Sequence, residues 1–147
     1  MNRASNLGVR PLTQSGVLAY RYRRDRLQVL LITSRDTGRW VVPKGHVAPG
    51  LTPRQSAGKE AFEEAGVAGV LDRQPLGYFE YRKSKVKGGR MCRVALYPML
   101  VETVSRSWPE KSQRTRKWMS CRMAAEVVWE DALGNLILEF SQRKHNL

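Results

Sequence analysis

Acidic residues are scarce in this 147-residue chain, which has 13 Asp and Glu against 26 Lys and Arg and a formal net charge of +13. A positive surface of this kind attracts and concentrates polyanions. Nucleic acid and polyphosphorylated small molecules are therefore the candidate partners, and a solvated basic surface without a ligand is the alternative.

Cysteine and histidine are also rare, and long apolar runs are absent. The two cysteines, Cys92 and Cys121, belong to no C-x-x-C pair, and their wide separation from each other and from the two histidines argues against a structural zinc site. We expect both cysteines to be reduced and partly buried. No segment approaches the ~20 apolar residues of a membrane span, and MNRASNLGVRP has no secretory h-region. The expectation is a cytoplasmic protein with no membrane partner.

The length suits one domain over residues 1–147, since the chain is close to the usual domain size. Apolar periodicity predicts strands over residues 16–22, 28–34, 39–43, 74–82, 91–102 and 117–120. It predicts two helices near the C-terminus, over 124–130 and 132–140. Mixed strands flanked by helices predict an α/β sandwich. We expect the first few residues and 141–147 to be frayed.

Three of the few acidic residues lie within five positions, at Glu60, Glu63 and Glu64. At about 100° per residue, Glu63 lies roughly 60° to one side of Glu60 and Glu64 about 40° to the other. Carboxylates converging on one helix face repel each other, which favours a cation among them. Hard oxygen ligands suit Mg²⁺ or Mn²⁺. The alternative is a solvated acidic face neutralised by neighbouring Arg and Lys.

The helix that carries these carboxylates has clear start and stop signals. Thr52 is a suitable N-cap, Pro53 follows at N1, and Gln55 completes a capping box. Gly66 stands where a left-handed C′ residue is favoured. The opposite face carries mostly small residues, which allow close packing on a sheet: Ala57, Gly58, Ala61, Phe62 and Ala65.

The segment GHVAPGLTPRQSAGKEAFEEAGV resembles the Nudix box, G-x5-E-x7-R-E-U-x-E-E-x-G-U, in which U is apolar. Seven positions are in register: Gly45, Glu60, Ala61, Glu63, Glu64, Gly66 and Val67. Two positions depart, because the first Glu of the pattern is Leu51 here and the Arg is Lys59. The resemblance implies a Nudix-type α/β/α sandwich.

The resemblance also implies a metal site and a catalytic set. Glu60, Glu63 and Glu64 match the carboxylates that hold Mg²⁺ or Mn²⁺ in the family, and Gly45 is included in the metal site. Lys59 keeps the charge of the family Arg but lacks its bidentate fork. The general base is either Glu64 or an acid on a distant loop, for which Glu110 in WPEKSQ is the candidate.

Two further segments, GRWVVPKGHV and WPEKSQRTRKWMS, resemble the diphosphoinositol polyphosphate phosphohydrolase branch, whose members also act on diadenosine polyphosphates. Cationic side chains would stabilise the leaving phosphate. The predicted substrate-binding residues include a Trp that either stacks on the substrate or packs in the core, and two from the basic stretch KSKVKGGR. They are Lys44, Arg35, Arg10, Trp40, Lys85 and Arg90.

Three functions remain open from sequence. The first is a metal-dependent pyrophosphohydrolase acting on a dinucleoside polyphosphate or a diphosphoinositol polyphosphate. The second is an RNA 5′-end pyrophosphohydrolase or RNA-binding Nudix domain. The third, motivated by Leu51 and Lys59, is a degenerate domain that binds a nucleotide without hydrolysing it. Retention of all three helix carboxylates argues against the third.

Overall fold

Eight strands form one mixed sheet in the part of the chain that the computed structural model describes, residues 10–83 and 89–145. The strands are β1 (Leu12–Arg23), β2 (Arg26–Thr33), β3 (Trp40–Val41), β4 (Lys44–His46), β5 (Val67–Leu71), β6 (Gly77–Arg82), β7 (Met91–Val104) and β8 (Arg116–Ser120). The central path runs β3-β2-β1-β7-β5, while β4 pairs with β1, β6 with β7 and β8 with β2. The β1–β7 pairing is parallel, and the other pairings are antiparallel.

Helices cover both faces of this sheet. They are α1 (Pro53–Glu60), α2 (Cys121–Val127) and α3 (Asp131–His145); α1 continues into a π-helical turn (Ala61–Ala65), and a short 3-10 turn covers Lys111–Gln113. Ala57 of α1 and Ala61 of the π turn pack on one face of the sheet with Val17 and Leu30. Helix α3 packs on the other face. The predicted α/β sandwich with a mixed sheet is confirmed.

The start and stop signals of α1 act as predicted. The Thr52 side chain accepts a hydrogen bond from the Gln55 amide, and the Gln55 side chain accepts one from the Thr52 amide. These two bonds satisfy donors that a helix start leaves free. At the other end, Gly66 adopts a left-handed conformation with φ of 68° and closes the π turn. The segment that carries Glu60, Glu63 and Glu64 is therefore fixed at both ends.

Element boundaries differ from the sequence prediction at several points. Strands β4 and β5 are short and polar or glycine-containing, so periodicity did not predict them. Helix α2 begins earlier than predicted because Ser120 caps the Met123 amide. The prediction of fraying over 141–147 is wrong up to His145, since α3 continues to that residue. The predicted frayed N-terminus lies outside the described residues.

Both cysteines are free, and both are buried more fully than predicted. Within residues 10–83 and 89–145, no helix combines the length and apolar character that a membrane crossing requires.

Candidate active site

A cleft with two connected lobes lies beside the segment that carries Glu60, Glu63 and Glu64. The inner lobe, of about 570 Å³, is lined by Gly45, Glu60, Glu64, Glu110 and other residues. The outer lobe, of about 440 Å³, lies toward the start of α3. Six residues line both lobes, which makes the cleft continuous: Ser34, Asp36, Val41, Lys44, Tyr81 and Lys83.

The π-helical turn alters how the three carboxylates are arranged. Glu60 and Glu64 both line the inner lobe. Glu63 instead forms a salt bridge with Lys59, with 2.7 Å between Nζ and Oε2. In the described part of the chain, no group of three or more His, Cys, Asp and Glu side chains is arranged to hold a metal ion. Each residue advances by less than about 100° in a π turn, so the spacing assumed from sequence does not hold there. Glu63 is turned further away from Glu60, and only Glu60 and Glu64 line the cleft.

Glu64 is held by its neighbours on both carboxylate oxygens. Oε1 accepts a hydrogen bond from the Lys44 amide at 3.2 Å, and Oε2 lies 3.3 Å from the Arg114 guanidinium. Burial raises the pKa of Glu64 to about 7, although Arg114 and the Lys44 amide act in the opposite direction. Its carboxyl therefore exchanges a proton near neutral pH in the metal-free protein.

This shift predicts that the metal-free protein loses stability as the pH rises. The pKa of Glu64 is raised from 4.5 to about 7 in the folded state, so the native protein holds this proton more tightly than the unfolded chain does. The associated stabilisation is complete below pH 4.5 and is lost as the pH rises through 7. The loss amounts to at most about 3 kcal/mol. Urea unfolding in the presence of a chelator, at about pH 5 and about pH 8, measures it.

Glu64→Gln is the matched comparison for this prediction, because glutamine does not titrate. We expect the free energy of unfolding of the variant to change less between the two pH values than that of the wild type. Equal pH dependence in the two proteins would contradict the raised pKa of Glu64.

Gly45 allows Glu60 to reach the inner lobe. A Cβ at Gly45 would lie 2.5 Å from the Glu60 Cδ, so no larger residue fits while Glu60 keeps this position. Burial and the nearby Glu63 raise the pKa of Glu60. Within the described residues, its carboxylate has no hydrogen-bond or salt-bridge partner. A half-buried carboxylate of this kind beside Glu64 suits a hard divalent cation.

We expect Gly45→Ala to weaken Mn²⁺ binding by about 10-fold with little loss of stability, because the added methyl group displaces a ligand side chain without entering the core. Titration calorimetry and thermal unfolding measure the two effects. Gly58→Ala in α1, outside the cleft lining, is the control for metal affinity. Unchanged affinity in Gly45→Ala would show that the Glu60 position is not important for the metal.

The loop before β8 secures the C-terminal end of the π turn. Backbone carbonyls of the turn accept hydrogen bonds from the Glu110 amide (at Glu63, 3.0 Å), the Trp108 indole (at Glu64, 3.2 Å) and the Arg116 guanidinium (at Ala65, 2.8 Å). Helix ends leave such carbonyls without internal partners. The Arg116 guanidinium also stacks 3.8 Å from the Trp108 ring. The loop thus fixes the backbone on which Glu64 stands.

Arg114 is the site residue that sequence reasoning missed. Its side chain is 8% exposed and connects the two candidate general bases, at 2.8 Å from Glu110 and 3.3 Å from Glu64. It also donates to the Thr33 carbonyl at 3.1 Å. The available signal was its i,i+4 spacing from Glu110 within the segment already compared with the phosphohydrolase branch.

Four of the other predicted residues line the inner lobe: Lys44, Lys59, Arg35 and Glu110. The Lys44 ammonium lies 4.7 Å from the centre of the Tyr81 ring, and burial lowers the pKa of Lys44. Arg35 donates to the Gln113 side chain at 2.9 Å and its Nε lies 3.9 Å from Glu110.

Arg10, Trp40 and Arg90 line neither lobe. Arg90 donates two hydrogen bonds to the Arg10 carbonyl, so these residues hold the first residues of β1 and β7 next to each other. Trp40 packs against the core cluster under α2 and α3, which is the packing alternative. Lys85 lies outside the described residues. Leu51 also does not line the cleft; its amide donates to the Ala48 carbonyl within a turn.

Comparison with known proteins identifies the family. The family model described as NUDIX domain matches residues 12–138. Nudix hydrolase 13, mitochondrial, of Arabidopsis thaliana is 32% identical over 144 residues, covering 86% of this chain and 71% of that protein. Diphosphoinositol polyphosphate phosphohydrolase 3-beta of Bos taurus is 32% identical over 117 residues, covering 78% of this chain and 68% of that protein. The chain belongs to the Nudix family, and the predicted Nudix-type hydrolase is confirmed.

Solved structures support the same fold. The Ap4A hydrolase of C. elegans superposes with a TM-score of 0.68 at 22% identity, covering 90% of this chain and 98% of that structure. The NUDIX domain of Shewanella oneidensis NrtR, solved with ADP ribose, gives a TM-score of 0.70 at 18% identity, covering 97% of this chain and 99% of that structure.

Some sequence relatives are longer than the part that matches. This chain spans 59% of the length of Nudix hydrolase 12, mitochondrial, of Arabidopsis thaliana.

Proposed function

We propose that this chain is a metal-dependent pyrophosphohydrolase that cleaves a phosphoanhydride bond in a polyphosphorylated small molecule. The observation that carries the proposal is the inner lobe, where the Glu60 and Glu64 carboxylates face a cavity of about 570 Å³ also lined by Lys44, Arg35 and Arg114. Negative and positive groups around one cavity suit a cation and a polyanion bound together. The substrate is a dinucleoside polyphosphate or a diphosphoinositol polyphosphate.

The residues present fit a divalent cation. Glu60 and Glu64 supply hard oxygen ligands. The Glu60 carboxylate, which has no hydrogen-bond or salt-bridge partner among the described residues, lines the cavity, and Gly45 leaves room for it. Nudix hydrolases generally use divalent metals such as Mg²⁺. When bound, the metal neutralises phosphate oxygens and lowers the pKa of a coordinated water.

The protein side chains have separate roles in this proposal. Lys44 and Arg35 bind the phosphate chain, and their charge stabilises the leaving phosphate. Glu110 is the candidate general base, because it lines the inner lobe and Arg114 holds its carboxylate at 2.8 Å. Arg114 is a positioning residue, since it orients both Glu110 and Glu64. Lys59 is paired with Glu63 and supports that side of the helix.

Phosphate release from a substrate panel, with and without Mg²⁺ or Mn²⁺, tests the proposal. The panel contains diadenosine polyphosphates, nucleoside triphosphates, nucleotide sugars, a diphosphoinositol and triphosphate-ended RNA. We expect release from a polyphosphorylated small molecule that requires both metal and Glu64, with Glu64→Gln as the control. Release from RNA alone would favour the RNA 5′-end alternative. No release with retained nucleotide binding would favour the degenerate domain.

The cytoplasmic location remains part of the proposal and is tested by fractionation of source cells.

A further inference from the structure

The acidic residues of the chain are concentrated around the cleft. Seven of the 13 line one of its lobes: Asp36, Glu60, Glu64, Glu80, Glu110, Glu130 and Asp131. Among the described residues, seven of the 26 basic residues line it as well: Arg35, Arg39, Lys44, Lys59, Arg82, Lys83 and Arg114. The lining is therefore balanced in formal charge, although the chain as a whole carries +13. Among the described residues, the basic excess lies outside this lining.

The outer lobe differs in character from the inner lobe, because it ends at an exposed aromatic ring. Trp129 lies in the linker between α2 and α3 and is 63% exposed. One face of its indole is covered by the Arg39 guanidinium at 3.8 Å, and both residues line the outer lobe. The linker is held in place by the bridge between Val128 and Trp40. A fixed indole with a bound guanidinium is a stacking surface for a planar ring.

Hydrogen-bond acceptors surround this stacking surface. Glu130 and Asp131 follow Trp129 directly in the chain, and Asp36 lies on the loop after β2. All three line the outer lobe. Carboxylates suit the hydroxyl groups of a ribose and the amino group of a base. Four basic residues line the same lobe, Arg39, Lys44, Arg82 and Lys83, so the stacking surface, and not the charge, is what favours a planar base over an inositol ring.

We infer that the outer lobe binds the nucleoside end of the substrate, with the base stacked at Trp129 and Arg39 while the polyphosphate reaches through Lys44 into the inner lobe. This inference rests on the proposed function and narrows its substrate to nucleoside-capped polyphosphates. Lys44 lines both lobes and stands at the junction between them.

Trp129→Ala tests the inference, with Trp129→Phe as the conservative variant and Tyr22→Ala as the control, since Tyr22 is an exposed aromatic outside the cleft. Loss of one base-stacking side chain raises KM for diadenosine tetraphosphate and for ATP by about 10-fold. Hydrolysis of inorganic tripolyphosphate, which has no base, stays within about two-fold. Trp129→Phe keeps most of the nucleotide affinity, and Tyr22→Ala keeps all of it.

A binding experiment separates failure of this inference from failure of the proposed activity. Adenosine diphosphate and inositol hexakisphosphate are titrated into the metal-free protein by calorimetry, with wild type, Trp129→Ala and Glu130→Gln. We expect Trp129→Ala to weaken only the nucleotide, and Glu130→Gln to tighten inositol hexakisphosphate several-fold. These shifts support the inference even if no substrate is hydrolysed. Nucleotide binding that is independent of Trp129, or a diphosphoinositol hydrolysed in preference to every nucleotide, would overturn it.

Discussion

Glu64→Gln will reduce metal-dependent phosphate release by roughly 10³-fold or more while the protein remains folded. The substitution removes the negative charge at the buried edge of the inner lobe but keeps an acceptor for the Lys44 amide, which lies 3.2 Å away. The cation and the attacking water both depend on that charge, whereas the packing of the π turn does not. Steady-state release of phosphate, together with circular dichroism, measures the two effects.

Glu102→Gln is the matched control, because Glu102 is an exposed carboxylate on β7 outside the cleft. Activity in Glu64→Gln close to that of Glu102→Gln would show that the metal site has been assigned to the wrong residues. If Glu64→Gln proves inactive and unfolded, Glu60→Gln replaces it as the test of the metal site. Among the described residues, the Glu60 carboxylate has no hydrogen-bond or salt-bridge partner that the substitution could break.

Arg114→Ala will be the most destabilising single substitution in the site. The side chain is 8% exposed and holds Glu64 and Glu110 at 3.3 and 2.8 Å. Its removal leaves two carboxylates close together without their shared cation, which costs about 3 kcal/mol or more. For a chain of this size the melting temperature falls by roughly 10 °C. Activity is lost in parallel, because both positioned carboxylates move.

The control for this variant is Arg143→Ala. Arg143 forms an exposed i,i+4 pair with Glu139 at 3.7 Å, so its removal changes stability by less than about 0.5 kcal/mol. Arg114→Lys keeps the charge without the planar fork and should recover part of the stability and little of the activity. Equal melting temperatures for Arg114→Ala and Arg143→Ala would contradict the role of Arg114.

The sequence was sufficient for the helix that carries the site, because capping is a local property. Thr52, Gln55 and Gly66 act at the positions that their types predict. The family resemblance identified Glu60 and Glu64, and the structure places both in one cavity. Sequence could not show the π turn, whose carbonyls accept hydrogen bonds from side chains 44 and 51 positions away in the chain.

Sequence reasoning missed the residues whose contacts are made with parts of the chain that are far away in sequence. Arg114 is 50 positions from Glu64, and the two meet because the loop before β8 is bonded to the π turn. Trp129 was predicted to lie in the helix over 124–130, whereas the structure places it in the linker between α2 and α3. Arg10 and Arg90 were chosen for their charge, yet they hold each other at the strand entries, away from the cleft. Charge alone does not show which surface a side chain lines.

The most direct test of the central claim is Mn²⁺ binding followed by electron paramagnetic resonance in wild type, Glu60→Gln and Glu102→Gln. Free Mn²⁺ gives a strong signal that is lost when the ion is bound, so the measurement does not depend on activity or on the identity of the substrate. We predict stoichiometric binding in the wild type and in Glu102→Gln, and a large loss of affinity in Glu60→Gln. Equal binding by all three proteins would show that the inner lobe is not the metal site.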